Sequence, residues 1–173
     1  MFSCPRFLPA LGLLAALLLT ACGGADAAKN ARPRTVDDRF PIKVGDRVVQ
    51  MQIAAQVEEM QKGLMFRQSM GADEGMLFIY PAPTQMGFWM RNCEFIQNIG
   101  FFDAGGVLKE TYEMYPHDER TVSSHAHDLQ FALEMNQGWY ERNGLKPGAK
   151  LDLRAVAEAL KARGFKPEAW GLR

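Results

Sequence analysis

The sequence predicts an α+β domain: a compact, twisted, partly closed antiparallel sheet, barrel-like, with a few short helices. Three observations carry that prediction. From Phe40 onward, short apolar runs recur between clusters of Gly, Pro, Asn and Asp, the pattern of brief strands joined by tight turns. Val49, Met51 and Ile53 alternate with Gln50 and Gln52, the period of a half-buried strand. Near the C-terminus the period lengthens, and Val156, Ala159 and Leu160 fall on one face of an amphipathic helix. Many short strands with few helices point to one packed sheet rather than to alternating βα units.

Taken in order, residues 40–44 and 47–53 read as two strands of a hairpin about Gly45-Asp46. Residues 56–62 read as a short helix, with Gly63 where such a helix ends. Residues 75–80 form a strand closed by Pro81-Ala82-Pro83, 86–91 a second and 99–103 a third, before Gly105-Gly106 turns the chain into 107–114. Residues 115–128 carry all three histidines and Pro116, and read as an exposed polar loop. A strand follows at 131–135, a brief helix at 137–143 stopped by Gly144, a last strand at 150–153, and the amphipathic helix at 154–163.

The N-terminus has a different character. Arg6 precedes the apolar run 8–19, which ends in Leu19-Thr20-Ala21-Cys22. That run is too short to span the ~30 Å hydrocarbon core of a bilayer as a helix. It suits the apolar region of a signal peptide, and Leu-Thr-Ala-Cys resembles a bacterial lipobox. The expected organisation is a signal peptide over 1–21, a tether over 22–39 and one domain over 40–173. Cys22 would be lipidated, and Gly23 after it suggests export to the outer membrane, facing the periplasm. The expected partner there is the membrane, reached through the lipid on Cys22.

Composition narrows the function. There are 20 Lys+Arg against 20 Asp+Glu, and such balance gives no basic stripe for nucleic acid. Of three cysteines, Cys4 leaves with the signal and Cys22 carries lipid, so Cys93 has no internal partner and the core must suffice without a disulfide.

Several segments, in order, resemble the domain of unknown function DUF192. They are Gly63-Leu64-Met65 with Arg67, Glu74-Gly75-Met76-Leu77-Phe78, Phe88-Trp89-Met90-Arg91-Asn92 and Phe101-Phe102-Asp103, continuing with Leu133-Glu134, Gly138, Gly144-Leu145 and Pro147-Gly148. The resemblance covers about Val49 to Leu153. It implies a β-rich α+β fold, frequently exported, and no established activity. Cys93 stands where the family usually has Thr. Where the family usually has Pro-Leu-Asp, this chain has Ile96-Gln97-Asn98. The amide of Asn98 can hydrogen-bond but cannot act as a base.

The candidate ligand residues are Arg67, Trp89, Arg91, Asn92, Asn98 and Glu134. Strand alternation sets Phe88 and Met90 on one face and Trp89 with Arg91 on the other, which suits a polar groove for a sugar or a peptide carboxylate. Glu134 interrupts an apolar strand, so it is either exposed or paired with a buried cation, Arg67 or Arg91; the paired reading is preferred. His125 and His127, with His117 and Asp118 or Asp128, are weak candidates for zinc or copper. No cofactor and no metal are expected, and no catalytic residue is assigned. Glu134 and Asp103 are the acids an enzyme would need to bring together. The expected protein is thus an envelope lipoprotein acting as a small binding or accessory module. A hydrolase-like enzyme acting on an envelope polymer and a purely structural protein are the alternatives.

Overall fold

The computed structural model describes residue 32 and residues 34–173. The expected signal peptide and Cys22 lie outside the described residues. Twelve elements follow one another: β1 Phe40–Val44, β2 Arg47–Ala54, α1 Val57–Lys62, β3 Glu74–Thr84, β4 Gly87–Phe88, β5 Gln97–Asp103, β6 Leu108–Met114, β7 Val122–Ser123, β8 Leu129–Asn136, α2 Trp139–Arg142, α3 Leu153–Ala162 and a 3₁₀ turn, Pro167–Trp170. Six strands make one sheet in the order β1-β2-β3-β8-β5-β6, and β4 pairs with β7 apart from it. The α+β class is as expected. No helix among the described residues is long and apolar enough to cross a membrane.

Two features of the sheet depart from the expectation. It is mixed, because β2 and β3 run parallel, Met51 opposite Gly75 and Ile53 opposite Leu77. Parallel neighbours need a crossover rather than a hairpin, and α1 supplies it. Nor is the sheet closed by a continuous ladder. One corner is laced instead: Val44 bridges Leu151 and Val107 bridges Lys150, with Gly45 N donating to Lys150 O and Leu151 N to Gly106 O, both at 2.8 Å. The strand expected over 150–153 is reduced to this lacing, and Leu153 already belongs to α3.

Apolar alternation loads both faces of the sheet. Met51, Ile53, Leu77, Ile79, Phe131, Leu133 and Phe102 point to the first face, which α2 and α3 cover through Trp139, Tyr140, Val156 and Leu160. Helix α3 begins cleanly because Asp152 accepts the Ala155 N–H at 3.0 Å, an N-cap that satisfies an orphan donor. Gly100 is required here, since a Cβ at that position would stand 2.5 Å from the Tyr140 hydroxyl, which donates to Leu133 O at 2.8 Å.

Ala54, Met76, Phe78, Ile99, Phe101 and Ala132 point to the second face. It is covered by irregular chain: Leu64, Met86, Phe88, Met90 and Cys93, with Met60 and Met65 at its edge. The strand expected over 86–91 shrinks to Gly87–Phe88 because its partner is the two-residue β7, not the main sheet. The expected exposed loop over 115–128 therefore contains a strand. It is pinned to β6 by Glu110, which accepts from the backbone N–H groups of His125 and Ala126 at 3.2 and 3.1 Å.

Strand β3 runs through Pro81 and Pro83, although proline donates nothing to a ladder. The pairing with β8 is irregular between Ile79 and Thr84. Gln130 Nε2 fills part of the gap, donating to Tyr80 O at 3.1 Å. Residues 34–39, which composition assigns to the tether, lie against the domain. Gln52 Nε2 donates to Val36 O at 2.7 Å and Arg39 pairs with Glu74 at 3.0 Å.

Candidate functional site

The second face holds a small cavity. Its volume is about 80 Å³, and its walls come from three directions. The end of α1 and the turn after it bring Met60, Lys62 and Met65; β3 brings Phe78 and Tyr80. The loop around β4 brings Phe88, Trp89 and Cys93, and β8 brings Glu134. Helix α1 is held in place at both ends. Glu59 Oε2 accepts from the N–H groups of Ala55 and Gln56 at 3.1 Å each. At its other end Gly63 turns the chain with φ of 46°, a conformation that disfavours residues with a Cβ.

Alternation in β8 sends Glu134 to this face while Leu133 and Met135 enter the first. Its row across the sheet reads Gln52, Met76, Glu134, Ile99. Glu134 is 5% exposed, and its carboxyl makes no hydrogen bond or ion pair among the described residues. Burial pushes its carboxyl up to about 8, with the Arg67 charge pulling it partway back. It is therefore mostly protonated at neutral pH, a hydrogen-bond donor rather than a fixed anion.

The expected clamp between Glu134 and Arg67 or Arg91 is not formed. Arg67 Nη1 donates to Gln52 Oε1 at 2.5 Å. Gln52 is on β2, and β3 with Met76 stands between β2 and β8. Two strand spacings are roughly 9–10 Å, so an arginine held on Gln52 acts on Glu134 only through space. Arg91 is half exposed; its guanidinium lies 6.0 Å from the Trp89 ring centre and 3.9 Å from Glu119.

Of the residues expected to share a groove, Trp89 and Glu134 do line one cavity. Trp89 is 48% exposed, whereas Phe88 and Met90 on either side are buried at 9% and 1%, so the predicted alternation holds without a full strand. Asn92 adopts φ of 56°, and its carbonyl accepts the Phe66 N–H at 2.8 Å. Its amide faces the Met65 sulfur at 4.0 Å, beside the cavity rather than in its wall. Arg67 lines a neighbouring depression with Asp37, Arg39 and Lys62. Asn98 is elsewhere: its amide donates to Tyr112 O at 3.3 Å, and its oxygen accepts the Gly138 N–H. It ties β5 to the start of α2.

Asp103 does not converge with Glu134. Its Oδ1 accepts from Gly105 N and Val107 N at 2.9 Å each, shaping the turn into β6. Cys93 is buried, and burial together with the Glu134 charge raises its thiol to about 11, the opposite of an activated nucleophile. His117 Nε2 lies 3.2 Å from Glu94, and the His125 ring stands 6.2 Å from that of Tyr112. Among the described residues no group of three or more His, Cys, Asp or Glu is placed to hold a metal ion.

Sequence reasoning missed several wall residues and one buried amide. Tyr80 enters the cavity wall where the prolines interrupt β3, a signal present in Tyr80-Pro81-Ala82-Pro83. Lys62 was legible only as the cation of a helix end. Gln97 is wholly buried, its amide beside the weakly bonding Cys93 thiol and without a nitrogen or oxygen partner among the described residues. It sits on β5 opposite Asn136, two residues from the partner of Glu134.

The comparisons with known proteins agree with this fold. A family model described as "Uncharacterized ACR", DUF192, matches residues 40–153. A protein of unknown function from Novosphingobium aromaticivorans DSM 12444 is similar at 31% identity and a TM-score of 0.64, over 76% of this chain and 99% of that one. A putative transcription regulator from Sinorhizobium meliloti 1021 is similar at 25% identity and a TM-score of 0.61, over 66% and 92%. No curated protein matches. The family match covers most of the chain, including every wall of the cavity: the protein belongs to the DUF192 family.

Proposed function

We propose that the protein is an exported envelope lipoprotein, anchored through Cys22, whose domain is a small binding or accessory module for a polar ligand such as a sugar or peptide. One observation carries the binding reading. Trp89, Met60, Tyr80 and Gly87 wall both the cavity that ends on Glu134 and a shallow groove of about 400 Å³ with Val57 and Pro81. An aromatic, half-open groove leading to a buried carboxyl combines apolar area with a few polar groups, Glu134 with Gln61 and Lys62, the usual make-up of a ligand site. The lipoprotein reading rests on the short apolar run before Leu19-Thr20-Ala21-Cys22.

A hydrolase is the second reading, because a carboxyl still protonated near neutral pH is what a general acid requires. Against it, Glu134 is the one acid in the cavity wall, and carboxylate-based glycoside hydrolysis uses a pair. The description of the Sinorhizobium relative raises nucleic acid, which the balanced charge of this chain does not favour.

The test is a binding screen of envelope saccharides and peptides by calorimetry, with Trp89→Ala beside the wild type. Saturable binding that Trp89→Ala abolishes supports the module; ligand turnover would move the reading to an enzyme. Membrane fractionation of Cys22→Ser tests the anchor, and a variant still in the membrane fraction would remove it.

A further inference from the structure

We infer that the cavity ending on Glu134 is an ammonium site: it takes a protonated primary amine of a small organic ligand, with the Glu134 carboxylate as counter-ion. The inference rests on the binding reading above and names the chemical group that is bound.

Size comes first. About 80 Å³ is the space of two or three waters at roughly 30 Å³ each. That admits a –CH₂–NH₃⁺ head and no whole sugar ring, whose body would remain in the groove beside Trp89. Polarity comes second. Glu134 is buried, lines the cavity and has no partner among the described residues. A carboxyl serving only the fold would be expected to find a donor there. Apart from Lys62, the amide of Gln61 and the thiol of Cys93, the side chains around it are apolar or aromatic: Leu64, the rings of Phe78, Tyr80, Phe88 and Trp89, and the thioethers of Met60 and Met65. Ring faces are electronegative and attract cations, not anions.

The charges around Glu134 leave room for one more cation. Arg67, from the turn after α1, acts on it through space but is engaged by Gln52 of β2. Cys93 from the β4 loop, Tyr80 from β3 and Tyr140 from beyond the sheet all feel its charge and are all held in their neutral forms, chiefly by burial. Lys62, exposed on the last turn of α1, is the single ammonium of the chain in the wall, and it makes no ion pair among the described residues. A bound ammonium would supply the neutralising charge that the fold leaves out.

A proton balance follows. When R–NH₃⁺ binds beside the protonated acid, Glu134 becomes a carboxylate and one proton leaves to solvent. Affinity must then rise about tenfold for each pH unit below the carboxyl's own titration.

The experiment titrates the full chain with n-butylammonium and, separately, with n-butanol, its neutral counterpart in shape. Binding is followed by NMR at the Trp89 indole N–H and the Glu134 carboxyl carbon. Expected is a gain of about a hundredfold for n-butylammonium from pH 5.5 to 7.5, no pH dependence for n-butanol, and loss of the gain in Glu134→Gln. Binding of n-butanol as tight as that of n-butylammonium, with no pH dependence for either, would keep the cavity as a site and overturn the ammonium inference. If neither probe perturbs Trp89, both readings fall. Lys62→Met decides the remaining case. A Glu134 titration moved upward by that change would show that Lys62 is already the counter-ion, which also overturns the inference.

Discussion

The two faces of the sheet are built from the same strands and finished in different ways. The first is sealed by regular structure: α2 and α3 lay Trp139, Tyr140, Val156 and Leu160 over Ile53, Leu77, Leu133 and Phe102. Its polar groups are mostly consumed locally, the Tyr140 hydroxyl by Leu133 O and the Trp139 indole by Asp73; the Trp170 indole N–H, a neutral donor, is left over. The second face is closed by loops and one short helix, and it buries Gln52, Gln97 and Glu134 among its apolar side chains. Buried polar groups without partners weaken a fold. Gln52 is satisfied by Val36 O and Arg67, but the Glu134 carboxyl in the cavity wall is not. That unmet group, on the face covered by irregular chain, separates the part of the molecule that supplies stability from the part that supplies a site.

That division can be broken by mutation. The largest loss is expected for Phe131→Ala on the sealed face, about 4–5 kcal/mol, because helices on one side and strands on the other cannot collapse onto the space. Next comes the tie between the faces. Arg163, at the end of α3, donates to Ile53 O and pairs with Glu59 of α1, both side chains nearly buried. Arg163→Met strands the Glu59 carboxylate and should cost about 3 kcal/mol. Phe88→Ala, on the open face, should cost about 3 kcal/mol as well, but with a wider spread, since the β4 loop can relax. Trp89→Ala should cost under ~1 kcal/mol, because half the ring is already in water. Urea denaturation of the four variants ranks them. Equal losses for Trp89→Ala and Phe88→Ala would place Trp89 in the core and erase the contrast.

Alternation made most of this legible beforehand. It assigned Phe88 and Met90 inward with Trp89 outward, and it set Glu134 opposite Leu133, although only Gly87–Phe88 is a strand. The hairpin at Gly45 and the amphipathic α3 followed from local signals of the same kind. What alternation could not supply was the partner of each strand. Nothing local distinguishes β2 beside β3 in parallel from an antiparallel meander, because the choice depends on where α1 packs. The clamp expected for Glu134 failed for the same reason. Its charge and face were readable, but the two-strand separation from Gln52, where Arg67 is anchored, is a property of strand order. Asn98 was grouped with Trp89 by nearness in sequence, whereas the sheet sends it to Gly138.

The second face is organised around an acid whose carboxyl is buried without a partner, and the stability of the wild type and of Glu134→Gln as a function of pH tests this most directly. A carboxyl raised from its ordinary 4.5 to about 8 by folding binds its proton more tightly in the native state. Stability is therefore fully present below about pH 4.5 and is lost as pH rises through 8, by several kcal/mol in all, on the order of 5. The variant, which has no proton to lose there, should match the wild type within ~1 kcal/mol near pH 5 and exceed it by several kcal/mol at pH 9. Parallel profiles, or a variant weaker by about 3 kcal/mol at every pH as a broken ion pair would make it, would contradict the account.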